Sequence, residues 1–158
     1  MTTMKDAAST FLRNGRIAVT GVSRNPSGHG SNSVYSRLKE RGYDVFAVNP
    51  NAETIGDDPC YPDVSSIPDG VDAVVIATAP ERTMETMREC AALGIDQVWM
   101  HRAFGKGSVD PEAVSWGREH GIEVIDGGCP LMFDPTADGA HKVMKTVLTI
   151  TGKVPRQV

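Results

Sequence analysis

The stretch that decides the fold is residues 16–31, which read Arg-Ile-Ala-Val-Thr-Gly-Val-Ser-Arg-Asn-Pro-Ser-Gly-His-Gly-Ser. The short apolar run from Ile17 to Val19 predicts a buried strand. A glycine-containing loop follows, and the helical spacing of Val34 and Leu38 predicts that a helix begins where the loop ends. The N-terminus of a helix offers unpaired backbone N–H groups and the positive end of the helix dipole, so this strand, loop and helix can hold a phosphate.

The loop differs from both common phosphate-binding motifs. The dinucleotide-binding pattern G-x-G-x-x-G would place its second glycine at the position of Ser23. The Walker pattern requires a lysine after its second glycine, whereas Gly28 is followed by His29. On this stretch alone, a glycine-rich turn that only connects a strand to a helix therefore stays open as an alternative.

The same order of strand and helix recurs along the chain. Apolar runs begin near Ile17, Val45, Ala73, Val98 and Val124, about 25 residues apart, which leaves room for a crossover helix and two loops. The runs are continuous rather than alternating, as is typical of strands that are covered on both faces. These observations predict an α/β fold with a Rossmann-like, doubly wound, five-stranded parallel sheet.

The remaining segments complete a single domain. Helical spacing predicts a further N-terminal helix within residues 3–14 and a C-terminal helix over residues 136–151. Residues 54–69 contain three prolines and are predicted to form an irregular connection with at most a short strand. A chain of 158 residues is long enough for one full core and too short for two ordinary enzyme domains, so residues 1–158 are expected to form one domain.

The composition argues against several classes of function. The formal net charge is -4, from 16 Lys and Arg against 20 Asp and Glu, so nucleic-acid binding is not expected. The three cysteines are widely spaced and lack a C-x-x-C pair, and no metal-ligand motif is present, so neither a disulfide framework nor a bound metal is expected. The absence of a signal peptide or a membrane span predicts a cytoplasmic protein without membrane contact.

Candidate site residues follow from the predicted topology, because ligands of a doubly wound sheet bind outside the carboxyl ends of its strands. An acidic residue would be expected after the second strand of an NAD-binding domain, and Asn49 stands there instead, which argues against a dehydrogenase. The residues that follow the five strands are Gly21, Val22, Ser23 and Arg24; Asn49 and Pro50; Thr78, Ala79 and Pro80; His101; and Cys129.

Four motifs, in order at the predicted strand ends, resemble a known family. They are Ile-Ala-Val-Thr-Gly-Val-Ser at 17–23, Gly-Tyr-Asp-Val-Phe-Ala-Val-Asn-Pro at 42–50, Val-Trp-Met-His at 98–101 and Gly-Cys-Pro at 128–130. The chain resembles the stand-alone CoA-binding domain proteins, which are similar to the CoA-binding N-terminal domain of the succinyl-CoA synthetase α subunit. The family often has glutamine at the position of His101.

The resemblance implies that coenzyme A lies across the carboxyl edge of the sheet. It implies a diphosphate at the loop of Gly21, Val22 and Ser23 and the following helix start. The other contacts that it implies are Arg24 and Ser31 to phosphate, Asn49 and Pro50 to adenosine, Thr78, Ala79, Pro80 and Arg82 along the ligand, and Trp99 and Cys129 near the pantetheine arm. At the end of its strand, His101 is expected to be a polar ligand contact.

Three functions stay open at this point. The first is a protein that binds CoA or acyl-CoA without turnover of its own, with no catalytic residue. The second is an acyl-CoA-dependent or nucleotide-dependent transferase on the same scaffold, with His101 as base or Cys129 as nucleophile. The third is an NAD(P)-binding protein. The sequence does not identify a protein partner.

Overall fold

The five predicted strands form a parallel arrangement in the computed structural model, which describes residues 2–25 and 30–158. The elements in chain order are α1 (Met4–Phe11), β1 (Arg16–Thr20), α2 (Gly30–Glu40), β2 (Asp44–Val48), β3 (Thr54–Ile55), β4 (Asp58–Tyr61), β5 (Ala73–Ile76), α3 (Pro80–Ala92), β6 (Gln97–Met100), α4 (Pro111–Glu119), β7 (Glu123–Asp126), a 3-10 helix (Pro130–Met132) and α5 (Gly139–Ile150). The Rossmann-like α/β prediction is therefore confirmed, including the additional helices at both ends.

The predicted number of strands is corrected from five to seven. The sheet order is β3-β4-β2-β1-β5-β6-β7, and among the strands of the described residues only β3 and β4 pair antiparallel. Both extra strands lie in residues 54–69, where at most one short strand was predicted. The segment is polar and contains Pro59, and it is drawn into the sheet by tertiary pairing, because Cys60 and Tyr61 pair with Ala47 and Val48 of β2.

The direction of winding reverses between β1 and β5. Strands β2 and β4 lie on one side of β1, and β5, β6 and β7 lie on the other. Because β1, β2, β4, β5, β6 and β7 run parallel, their carboxyl ends meet at one edge of the sheet. The crevice at the point of reversal is where sheets of this kind bind ligands.

The sheet is buried on both faces, as the continuous apolar runs predict. One core contains Ile17 and Val19 of β1 and is covered by α1, α2 and α5. The other contains Ala18 and is covered by α3 and α4. Gly42, Gly94 and Gly121 follow the ends of α2, α3 and α4, and all three have the positive φ that is typical of glycines that end helices. Among the helices in the described ranges, none has both the length and the apolar character that crossing a bilayer requires.

Candidate functional site

The loops after β1 and β5 pass very close to each other at the point of reversal. Gly21 follows β1 with a φ of 73°. A Cβ atom at this position would lie 2.6 Å from the carbonyl oxygen of Ala77, which follows β5. Only glycine allows this approach, because a side chain would be both strained and overlapped. The backbone N–H of Gly21 also donates to the carbonyl of Val48 at 3.0 Å, which ties three strand ends together.

The first turn of α2 holds the loop after β1 in place. The N–H of Ser23 donates to Asn32 Oδ1 at 2.9 Å, and Asn32 Nδ2 donates back to the carbonyl of Ser23 at 2.7 Å. The hydroxyl of Ser31 donates to the carbonyl of Gly21 at 2.9 Å. Asn32 is buried and was not among the residues predicted from the sequence. The parts of the predicted phosphate loop at Gly28 and His29 lie outside the described residues.

Asn49 links the loop after β2 to the loop after β1. Its Nδ2 donates to the carbonyl of Val22 at 2.9 Å, and its Oδ1 accepts from the N–H of Asn51 at 2.8 Å. An aspartate at position 49 could not donate to Val22. The structure thus gives a local reason for asparagine at a position where an NAD-binding domain carries an acid.

Three adjoining cavities follow this edge of the sheet, and we call them together the carboxyl-edge groove. The central cavity has a volume of about 440 Å³, and it shares Thr78 with a cavity of about 420 Å³ on the β6 side. On the β4 side it shares Pro50, Asn51 and Pro62 with a cavity of about 790 Å³. The groove is therefore elongated and crosses the point of reversal.

The groove brings together most of the residues predicted from the sequence, but not all of them. Those that line it are Gly21, Arg24, Ser31, Asn49, Pro50, Thr78, Ala79, Arg82 and His101. Pro80 begins α3 beside it. Val22 is fully buried in the core, and Ser23 serves the hydrogen bonds to Asn32.

Thr78 carries a hydroxyl without a partner where two cavities meet. Its Oγ1 is buried and has no hydrogen bond within residues 2–25 and 30–158. The polar groups beneath it are satisfied, because Ser108 Oγ donates to the carbonyl of Thr78 at 2.5 Å and Thr83 Oγ1 donates to the carbonyl of Ser108 at 2.7 Å. A buried hydroxyl without a partner costs about 1–3 kcal/mol, so it favours a ligand that supplies the missing hydrogen bond.

The central cavity has an acidic wall that sequence reasoning missed. Asp63, Glu85 and Glu89 line it together with a single cation, Arg82, within the described part of the chain. Arg82 and Glu85 form an exposed ion pair at 3.7 Å. Hydrogen bonds from Ser66 and then Ser65 hold the pKa of Asp63 below its usual value, so this carboxylate stays charged. The wall suits N–H and O–H donors of a ligand and disfavours a phosphate.

His101 lies in the cavity on the β6 side, and its ring packs against the start of α2. A Cβ atom built on Gly30 would lie 3.0 Å from His101 Cε1. Burial, and to a smaller extent the neighbouring His141, lower the pKa of His101 to about 4. His101 is therefore neutral at pH 7, and it offers a ligand one donor and one acceptor rather than a positive charge.

Trp99 and Cys129 lie in the core rather than in the lining of the groove. The Trp99 ring is fully buried between Phe11 and Phe133, with centroid distances of 5.3 and 5.6 Å, and its Nε1 donates to the carbonyl of Gly127 at 2.9 Å. Side chains inside a strand point toward the faces of the sheet, so Trp99 cannot reach its edge. Cys129 is also buried, and burial raises the pKa of its thiol to about 12.

Comparisons with known proteins relate this chain to proteins that bind or ligate CoA. The sequence model of a family described as "CoA binding domain" matches residues 15–135. The ADP-forming acetate-CoA ligase II of Archaeoglobus fulgidus is 42% identical over 81 residues, and the match covers 50% of this chain. This chain spans only 12% of that ligase.

Two solved structures share the fold. The crystal structure of Prb, a protein redesigned for binding, has a TM-score of 0.74 at 25% identity, and the match covers 99% of this chain and 98% of that chain. A hypothetical protein from Pyrococcus horikoshii has a TM-score of 0.69 at 32% identity, with 77% of this chain and 82% of that chain covered.

Proposed function

The chain belongs to the CoA-binding domain family, and from that premise we propose that residues 1–158 form one domain that holds CoA or an acyl-CoA in the carboxyl-edge groove. The observation that carries the proposal is the elongated shape of the groove, which crosses the point of reversal. CoA is an elongated ligand with a diphosphate between its adenosine and its pantetheine arm. Each cavity lies within the range of about 300–1,000 Å³ that is usual for small-molecule sites.

We place the diphosphate at the N-terminus of α2. Two donors of the preceding loop are already used within the protein, because the N–H groups of Gly21 and Ser23 bind Val48 and Asn32. The hydroxyl of Ser31 likewise donates to Gly21. We assign the diphosphate to the first-turn N–H groups of α2, because the N-terminus of a helix offers backbone donors and its dipole favours an anion. Ser31 would then contact phosphate through its backbone rather than through its hydroxyl.

We place the adenosine between the central cavity and the cavity on the β4 side. Asn49 and Pro50 line this part of the groove, and the acidic wall faces it. Carboxylates accept hydrogen bonds from an exocyclic amine or from ribose hydroxyls. Arg24 lines the cavity on the β4 side and is exposed, so it is the cation that we assign to the 3′-phosphate of CoA.

The pantetheine arm would run along the cavity on the β6 side. Ala77, Ala79 and Phe104 give this cavity apolar surface, and Thr78 and His101 supply polar groups. The amides of pantetheine can provide the hydrogen bond that the Thr78 hydroxyl lacks. An apolar slot with a few polar partners is the usual form of such a site.

We propose binding without turnover rather than acyl transfer. The raised pKa of Cys129 and its burial in the core argue against a thiolate nucleophile at neutral pH. The pKa of His101, at about 4, makes it a weak base at pH 7. The transferase therefore stays an alternative that an activity assay decides: consumption of acetyl-CoA by the wild-type protein would contradict binding without turnover.

Calorimetric titration with CoA, dephospho-CoA and NADH tests the proposed binding. We expect CoA to bind and NADH not to bind. In Arg24→Gln we expect CoA to bind about tenfold more weakly, as for the loss of about 1.4 kcal/mol, with dephospho-CoA affected much less because it lacks the 3′-phosphate. Arg41→Gln is the matched control, since Arg41 is also exposed but lies beyond the end of α2, away from the groove.

The results separate the assignment of Arg24 from the choice of ligand. Equal weakening of CoA and dephospho-CoA by Arg24→Gln would contradict the contact with the 3′-phosphate but not the binding of CoA. Binding of NADH in the absence of any binding of CoA would overturn the proposed function itself.

A further inference from the structure

A fourth cavity lies apart from the carboxyl-edge groove, between the two terminal helices. Its volume is about 770 Å³, and none of the described residues lines both this cavity and the groove. The N-terminal helix α1 contributes Lys5 and Ser9, and α5 contributes a face that includes Lys142, Lys145 and Ile150. Both helices lie outside residues 15–135, the part of the chain that the family shares. CoA binding in the groove therefore does not account for this cavity.

The cavity has an apolar floor. Met132 and Phe133, which are both buried, form it between the two helices. Ile150 is 77% exposed at the end of α5 and extends the apolar surface outward. The Phe133 ring also contacts Trp99 on its inner side, with a centroid distance of 5.6 Å. An occupant of the cavity would therefore lie one ring away from the fully buried tryptophan.

The charges around the floor are strongly unbalanced. Lys5, Lys142 and Lys145 line the cavity together with one carboxylate, Asp134, which binds Lys142 at 3.2 Å. Neither Lys5 nor Lys145 forms an ion pair with any other described residue. Lys145 Nζ lies 4.0 Å from the centroid of the Phe133 ring.

The surroundings of Lys145 disfavour its positive charge. Burial lowers its pKa, and the neighbouring Lys5 and Lys142 lower it further, while Asp134 acts in the opposite direction. An anion beside Lys145 would offset both the repulsion among the lysines and the cost of removing the Lys145 ammonium from water. The arrangement is thus complementary to negative charge placed next to apolar surface.

We propose that this cavity is a second ligand site, which takes a small amphipathic anion: a carboxylate with an aliphatic tail. The tail packs on Met132 and Phe133, and the carboxylate lies between Lys5 and Lys145. Inorganic phosphate would make no use of the apolar floor or of the exposed Ile150, and a neutral lipid would leave the two lysines without a partner. The volume lies within the range of about 300–1,000 Å³ for small-molecule sites.

Titration of the full chain with decanoate tests this site, by calorimetry and by tryptophan fluorescence, because Phe133 contacts Trp99. Acetate lacks the tail and decanol lacks the charge, so we expect both to bind about tenfold more weakly than decanoate, or worse. Lys145→Met keeps the alkyl stem and should weaken decanoate binding by about tenfold. Lys145→Arg should retain binding. Lys106→Met, at an exposed lysine outside the cavity, is the matched control.

Several results would overturn the proposal. Equal affinity of Lys145→Met and the wild-type protein for decanoate would show that Lys145 does not contact the carboxylate. Equal affinity of the wild-type protein for decanol and decanoate would show that the cavity binds only through apolar contact. A dimer that Lys145→Met disperses would mean that a second copy covers the cavity. Competition between decanoate and CoA would place both in the groove, whereas failure of CoA to bind leaves this proposal untouched.

Discussion

Replacement of Gly21 by alanine tests how the point of reversal is built. Gly21 has a φ of 73°, and a left-handed conformation costs a residue with a Cβ about 1–2 kcal/mol. The new Cβ would also lie 2.6 Å from the carbonyl oxygen of Ala77, and such overpacking adds about 1–3 kcal/mol. We therefore expect the free energy of unfolding to fall by about 2–5 kcal/mol.

Gly42→Ala is the matched control for the backbone conformation. Gly42 ends α2 with a φ of 89°, and a Cβ there would meet nothing within 4 Å. The free energy of unfolding of this variant should fall only by the conformational cost of about 1–2 kcal/mol. The difference between the two variants, about 1–3 kcal/mol, isolates the contact between the loops after β1 and β5.

Urea unfolding followed by circular dichroism gives the free energy of unfolding of both variants. Their melting temperatures should fall in the same order, by about 2–4 °C for each kcal/mol of lost stability. Gly21→Ala should also weaken CoA binding, because the loop must move away from Ala77 and Thr78, whereas Gly42→Ala should bind as the wild-type protein does. An equal loss of stability in Gly21→Ala and Gly42→Ala would show that the close approach to Ala77 does not constrain the loops.

Two further variants test the site from other directions. Asn32→Ala removes both hydrogen bonds to Ser23 and leaves its backbone groups unpaired, so the free energy of unfolding in urea should fall by about 2–4 kcal/mol, and Ser33→Ala, exposed on the same turn, should change it little. The pKa of His101 is lowered from 6.5 to about 4, so its contribution to stability is complete above pH 6.5 and is lost as the pH falls toward 4. His101→Gln should therefore lose less stability than the wild-type protein between pH 7 and pH 4.5, and an equal loss would show that this histidine is not buried in its neutral form.

The main strands could be predicted from the sequence because burial leaves a local signal. A strand covered on both faces is a continuous apolar run, as in the segment from Ile17 to Val19, and glycines with positive φ follow the helices between the runs. The two additional strands leave no such signal. The segment Asp58–Tyr61 is short and polar and contains Pro59, and it becomes a strand only through its pairing with β2.

The site was predictable where topology alone places a residue at the edge of the sheet. Gly21 and Asn49 follow directly on strands, and Thr78 lies two residues beyond the end of β5, so all three could be predicted. Asn32 could not be predicted in this way, because its role is a tertiary hydrogen bond made from within a helix. The acidic wall could not be predicted either, because Glu85 and Glu89 come from the flank of α3 rather than from a strand end.

The loops of the groove are tied mainly to one another, and this affects how a ligand can be selected. Asn32 and Asn49 use their amides to hold backbone groups of the loop after β1, so these side chains are not free to rearrange around a ligand. Because these loops are already ordered, ligand binding costs little free energy for ordering them. Discrimination then rests chiefly on the Thr78 hydroxyl, which has no hydrogen bond within residues 2–25 and 30–158, and on the N-terminus of α2, which favours an anion. A ligand that lacks either an anion or a hydrogen-bonding group at the matching position would leave one of them unsatisfied, which is the most effective way for a site to reject a close analogue.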